Sequence, residues 1–138
     1  MAYLFDTDAI SFVLRRRPPA AYLAWLAQVP REDQYASAVT IGELYRGAFR
    51  SPRAELHLRN ITERILPAVT TLPHDAATAE HYGRIAAVLE IQGQRLADAD
   101  LQIAATAVCH DLELVTGNVR HFARVPGLRL NSVLAAAR

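Results

Sequence analysis

Lysine is absent from the 138-residue chain, and all fifteen of its cationic side chains are arginine. Mechanisms that need a lysine amine are therefore excluded, among them phosphate-loop nucleotide hydrolysis and Schiff-base chemistry. Cysteine occurs once, as Cys109. A single thiol forms no internal disulfide and no cysteine zinc site, and within an alanine-rich segment it reads as a small buried hydrophobe. No His-x-x-x-His pair supplies a nitrogen framework for zinc either. Long apolar runs are lacking too: 51% of the residues are hydrophobic, yet no run reaches the ~20 residues of a membrane span. Met1 leads straight into an apolar strand, with no basic n-region or cleavage site of a secretory leader. These absences predict a soluble, cytoplasmic protein with no membrane contact. A chain of this length buries about two-thirds of its unfolded surface in one core, so a single domain over residues 1–138 is expected.

What is present begins with Tyr3-Leu4-Phe5-Asp6-Thr7-Asp8, an apolar run that ends abruptly in carboxylates. A parallel strand covered by helices on both faces is apolar at every position, and Ala2 to Phe5 has that character. Asp6 then sits at the carboxyl end of a central strand, where open α/β sheets bind their ligands. Thr7 or Asp8 is placed to cap a short helix from Ala9 to Leu14, closed by Arg15-Arg16-Arg17 and broken by Pro18-Pro19. The basic run is either a solvated helix end or a phosphate or partner contact. A second helix is expected over Ala20 to Val29 and a strand over Tyr35 to Val39.

Thr40-Ile41-Gly42-Glu43 follows, and it has the form of a capping box, which accounts for Glu43 without function. Glu43 also follows a strand by a few residues, as Asp6 does. Ser51-Pro52 predicts a helix from Arg53 to about Ile65, then a strand over Val69 to Leu72, and a helix capped by Asp75 and stopped by Gly93. In the alanine-rich helix after Leu96, Asp98 reads as the cap and Asp100 as a first-turn acid, stabilised there by the helix dipole. A strand over Leu112 to Val115, an Asn118-capped helix to Ala123 and a strand over Leu128 to Leu130 complete the chain. Repeated strand-then-helix units call for a parallel sheet with right-handed crossovers. The expected fold is therefore α/β: a three-layer α/β/α sandwich around about five parallel strands.

In such a sheet Asp6, Glu43, Asp98 or Asp100, and Asn118 all face one rim. Carboxylates within ~4 Å of each other repel by about 1 kcal/mol per pair in water and about 4 kcal/mol at an effective dielectric of ~20. A cluster of this kind calls for a counter-ion, and oxygen-only donors suit Mg2+ or Mn2+. The chemistry that follows is metal-assisted hydrolysis of a phosphodiester. His57, His74, His81 and His110 read as surface or packing residues, whereas His121, three past Asn118, lies close to the rim. With the acids of the rim set apart, fifteen arginines face ten remaining acids, a surplus suited to phosphate backbones.

Four segments, Tyr3 to Asp8, Ser37 to Leu44, Asp100 to Ala107 and Leu114 to Phe122, resemble in order and spacing the successive motifs of PIN-domain ribonucleases. The resemblance is closest to the VapC toxins of bacterial toxin–antitoxin pairs and covers Tyr3 to about Leu130. By position it implies that Asp6, Glu43 and Asp100 are the metal-binding and catalytic acids, with Asp98 reduced to a neighbour. Asn118 takes the family's fourth polar position, His121 stands where many members carry another acid, and Asp8 stands where asparagine is usual. The family implies Mg2+- or Mn2+-dependent cleavage of RNA, a homodimer, and inhibition by a small VapB-type antitoxin.

Rival readings are set apart by chemistry. Asp6-Thr7-Asp8 also resembles the Asp-x-Asp of haloacid-dehalogenase-like phosphatases, but those magnesium-dependent phosphatases, like receiver domains, require a lysine. A non-catalytic RNA- or partner-binding module on the same fold stays as the alternative reading, with the three intact acids Asp6, Glu43 and Asp100 arguing against it. A DNA-directed, structure-specific nuclease would need substrate-threading elements for which the chain is short.

Overall fold

The computed structural model describes residues 1–15 and 17–137. Arg16, the middle of the basic run, lies outside the described residues. Five strands, β1 (Tyr3–Phe5), β2 (Gln34–Ser37), β3 (Thr70–Leu72), β4 (Glu113–Val115) and β5 (Leu130–Asn131), form one sheet in the order β3-β2-β1-β4-β5. Every pairing is parallel. The chain moves outward from β1 through β2 to β3, then returns to β4 on the other side. The direction of winding thus reverses between β1 and β4, which is where a doubly wound sheet opens a crevice.

Alternation along the strands splits the core into two layers. Leu4 and Leu114 face α5 (Ala76–Ile91) and α6 (Asp98–Cys109), packing with Ile85, Leu89, Leu101 and Ile103. Phe5, Ala36 and Val115 face the opposite layer, formed by α1 (Thr7–Val13), α2 (Ala20–Leu26), α3 (Ala38–Arg50), α4 (Ala54–Asn60) and the C-terminal α8 (Val133–Ala137). The expected α/β/α sandwich with a five-stranded parallel sheet is what the chain forms. A one-turn helix, α7 (Val119–Phe122), follows β4.

Several boundaries differ from the sequence expectation, each for a local reason. The cap of α1 is Asp6, not Thr7 or Asp8: its backbone is extended and its Oδ1 accepts the Ala9 N–H at 2.8 Å. The second helix stops at Leu26 rather than Val29. Strand β2 ends at Ser37 because the Ser37 hydroxyl accepts the Thr40 N–H at 3.1 Å and starts α3. Thr40 is therefore inside the helix, and the Thr40–Glu43 capping box does not form. The helix expected to Ile65 is α-helical only to Asn60 and continues as a π-turn, Ile61–Ile65, where the Thr62 hydroxyl bonds back to the Leu58 and Arg59 carbonyls. Helix α6 is capped by Ala97, with Asp98 as its first residue. The last strand starts at Leu130, and α8 follows where Asn131 Oδ1 accepts the Val133 N–H. Asp75 does cap α5, accepting the Thr78 N–H at 3.0 Å, and Gly93 stops it with a φ of 68° that glycine adopts freely.

Because Ser37 sets the start of the helix that carries Glu43, its hydroxyl has a measurable weight. Ser37→Ala is expected to lower stability by about 1 kcal/mol, read from urea denaturation; unchanged stability in that variant would overturn Ser37 as the cap.

Candidate active site

The register Phe5 opposite Val115 aligns the first residues beyond β1 and β4, Asp6 and Thr116. Both are buried. Asp6 combines two tasks: one carboxylate oxygen caps α1 through the Ala9 N–H, and the side chain also bonds that of Thr116. Thr116 in turn accepts the Asn118 N–H at 3.0 Å, holding the turn before α7.

Glu43 comes from the second turn of α3. Its Oε1 accepts a hydrogen bond from the Thr7 hydroxyl at 2.5 Å, and Thr7 lies 3.4 Å from the Thr40 hydroxyl. Asp100, in the first turn of α6, lies 3.0 Å from His121 Nε2 through its Oδ2. His121 packs edge-on against Phe122. Asp6, Asp8, Glu43 and Asp100 line one cavity of about 220 Å3, together with Thr7, Asn118, Ile103 and Phe122.

Asp98 does not reach this cavity. Its Oδ1 accepts the Tyr82 hydroxyl at 2.9 Å and it lines a separate pocket between α5 and α6. Residues 98 and 100 on a helix point in different directions, so only one of the pair can face the rim. Two members of the arrangement escaped the sequence reading, Thr7 and Thr116. Thr116 carried the same signal as Asp6, a polar residue one step past a buried strand; Thr7 lies between two of the candidate acids.

Of the four carboxylates that line this cavity, that of Asp6 is buried. Burial above all, with the nearby charges of Asp8 and Asp100, raises its pKa to about 6 against the lowering influence of Thr116 and Ala9. Oxygen is the donor the lining carboxylates and the hydroxyl of Thr7 present, a set suited to a hard divalent cation. Among the described residues no group of three His, Cys, Asp or Glu side chains is drawn close enough to hold a metal ion by itself. The chemistry of the donors, a few carboxylates with water making up the rest, is that of a hard divalent cation rather than of zinc.

The comparisons agree with this architecture. The PIN-domain profile matches residues 3–128. Ribonuclease VapC2 of Haemophilus influenzae is 35% identical over 134 residues, covering 94% of this chain and 96% of the relative. The tRNA(fMet)-specific endonuclease VapC of Shigella flexneri is 33% identical over 129 residues, with the same coverage. Among solved structures, VapBC2 from Rickettsia felis, bound to a DNA fragment from its promoter, superimposes with a TM-score of 0.87 at 25% identity, over 95% of this chain and 98% of that one. The chain belongs to the PIN-domain family. Within it the similarity runs to the VapC ribonucleases.

The raised pKa of Asp6 predicts a pH-dependent stability. Its folded value, about 6, lies above the ordinary 3.8, so the fold takes up a proton more readily than the unfolded chain does. Stability of the metal-free protein therefore falls as pH rises from about 4 through 6, and the loss persists above. Asp6→Asn, which keeps a cap oxygen, is expected to stabilise the protein in chelator by on the order of 2 kcal/mol at pH 8 and by little at pH 4. Thermal unfolding at both pH values checks this; equal effects would contradict the assigned burial.

Proposed function

We propose that the chain is a divalent-metal-dependent endoribonuclease, the toxin of a toxin–antitoxin pair, with residues 1–138 forming a single PIN domain. Asp6, Glu43 and Asp100 are its metal-binding and catalytic acids; Asp8, Asn118 and His121 support them, and Asp98 takes no part. The observation that carries the reading is the meeting of Asp6, Glu43 and Asp100, remote in sequence, on the walls of one cavity at the reversal point of the sheet. Membership of the PIN family and the likeness to ribonucleases support it.

Mg2+ or Mn2+ is the proposed ion. When bound, such an ion neutralises charge on a phosphodiester and makes a water more acidic. The chain's own groups do the positioning. Asp6 is anchored by Ala9 and Thr116, so its carboxylate does not swing away from the cavity. Thr7 ties down Glu43, and His121 orients Asp100. Asn118 supplies a neutral amide at the mouth, able to donate to an anionic substrate oxygen. Among the described residues no helix is long and apolar enough to cross a membrane, and the cytoplasm, where RNA is available, is the proposed compartment. A VapB-type antitoxin is the proposed partner, by analogy with the VapBC complexes. A homodimer is proposed as well, for which the exposed Phe49 and Ile91 offer apolar surface.

Purified protein incubated with mixed RNAs is expected to cut them in Mg2+ or Mn2+ and not in chelator. Asp6→Asn and Asp100→Asn are expected to keep the far-UV circular dichroism of the wild type and lose cleavage about 100-fold or more, as when a group stabilising transition-state charge is removed. Wild-type activity in both purified variants would defeat the assignment. RNA retained without cleavage would favour a binding module instead.

A further inference from the structure

We propose that a second cavity, lying against the acidic one, is a nucleotide subsite: it receives the unstacked base of single-stranded RNA next to the scissile bond, with Arg15 on the adjoining phosphate. The inference rests on the nuclease reading above and extends it to the substrate. The cavity measures about 320 Å3, within the range of small-ligand sites. Thr7 and Glu43 line both cavities, so the two share a wall. A chain whose phosphate lies at the acids therefore has its neighbouring nucleotide at this opening.

The lining suits a base. Leu14, Leu44 and Ile61 are aliphatic, while Arg15 and His57 add nitrogen groups able to meet a phosphate or a base edge. Sequence-specific RNA recognition works on unstacked bases taken into such sites. The Arg15 guanidinium carbon lies 3.6 Å from the centroid of the Phe12 ring, which holds the long side chain in place. Among the described residues Arg15 makes no ion pair. Its charge is thus available beside a pocket that would otherwise repel an RNA backbone.

Gly47 supplies a separate observation. It lies inside α3 on the cavity lining, and a Cβ built there meets no atom within 4 Å. Its φ is not positive, so the backbone does not demand glycine, and glycine weakens a helix relative to alanine. Open space at the Cβ is shared by Gly42, Gly83, Gly93 and Gly127, and position 47 is set apart from these by its place on the cavity lining. A longer side chain there starts from the lining with its Cβ free of clashes.

The test uses the intact protein and an RNA whose cut site has first been mapped with the wild type. Short RNAs of that sequence are compared with versions carrying an abasic residue on the 5′ or the 3′ side of the cut. One abasic substitution is expected to lower kcat/KM about ten-fold or more. Gly47→Leu, shown to be folded by its melting curve, is expected to cut the intact RNA as slowly as the wild type cuts the abasic one and no longer to distinguish the two. Gly47→Ala controls for helix propensity and is expected to retain the discrimination. Arg15→Gln is expected to raise KM with kcat within about two-fold. A folded Gly47→Leu that cuts intact RNA at the wild-type rate overturns the subsite, as does equal cutting of intact and both abasic RNAs by the wild type. If that same variant also escapes inhibition by the antitoxin co-purified from its operon, the cavity belongs to a peptide. Failure of the wild type to cut any RNA with either ion overturns the nuclease reading itself, and is seen before any variant is made.

Discussion

The carboxylate of Asp6 is kept almost wholly out of water at the end of the central strand, and much of the site follows from what such a group requires. A buried charge needs donors. One comes from the chain immediately after it, because Asp6 is also the N-cap of α1 and faces the positive end of that short helix. The other comes from Thr116 on the neighbouring strand, brought alongside by the pairing of Phe5 with Val115. These two donors do not offset the burial fully, since the pKa remains raised to about 6. The remaining deficit is what a cation would meet, and it places the demand for an ion in the fold rather than in an added loop.

The other acids depend on where helices begin. Glu43 reaches the cavity only because α3 starts at Ala38, one residue after its Ser37 cap. A start three residues later would turn the Glu43 side chain back onto the helix terminus, as a capping box requires. Asp100 faces the cavity because α6 starts at Asp98, which directs residue 98 toward Tyr82 on α5. Side-chain partners then hold each carboxylate: Thr7 for Glu43 and His121 for Asp100. The arrangement costs stability in the metal-free chain chiefly through the burial of Asp6, which is the usual relation between a functional site and the fold that carries it.

Legibility in the sequence followed the strength of the local signal. Buried strands were plain at Leu4-Phe5 and at Leu114-Val115, and the first was seen to deliver Asp6, so the sheet and part of its rim could be read, although Thr116 was passed over. The caps at Asp75 and Gly93 were plain as well, since each rests on one residue with a specific backbone role. What could not be read was competition between adjacent candidates. Asp6 prevailed over Thr7 and Asp8 as a cap, and Ser37 over Thr40, because strand registry decides where extended backbone ends; registry is a tertiary fact. The π-turn at Ile61–Ile65 shows no breaker until Pro67, and α8 is too short for a periodic pattern to declare itself. Hydroxyl partners such as Thr7 are invisible for the same reason: their role lies in what another segment brings to them.

Charge distribution carries the argument one step further. The net charge of +1 conceals a separation: four acids line one cavity, and the fifteen arginines are distributed over the rest of a chain with ten other acids. Ion pairs absorb few of them; among the described residues Arg84 pairs with Glu80 and Arg129 with Asp111, both at the surface, where such pairs contribute little. A polyanion reaching this cavity meets four acids and no arginine among its lining residues. There, an ion would reverse the sign locally, so binding of the backbone and admission of the scissile phosphate are separable events. Arg15, on the lining of the cavity next to the acids, stands at the boundary between the two regions. A substrate phosphate held there would bring its neighbour to the carboxylates without entering their uncompensated field.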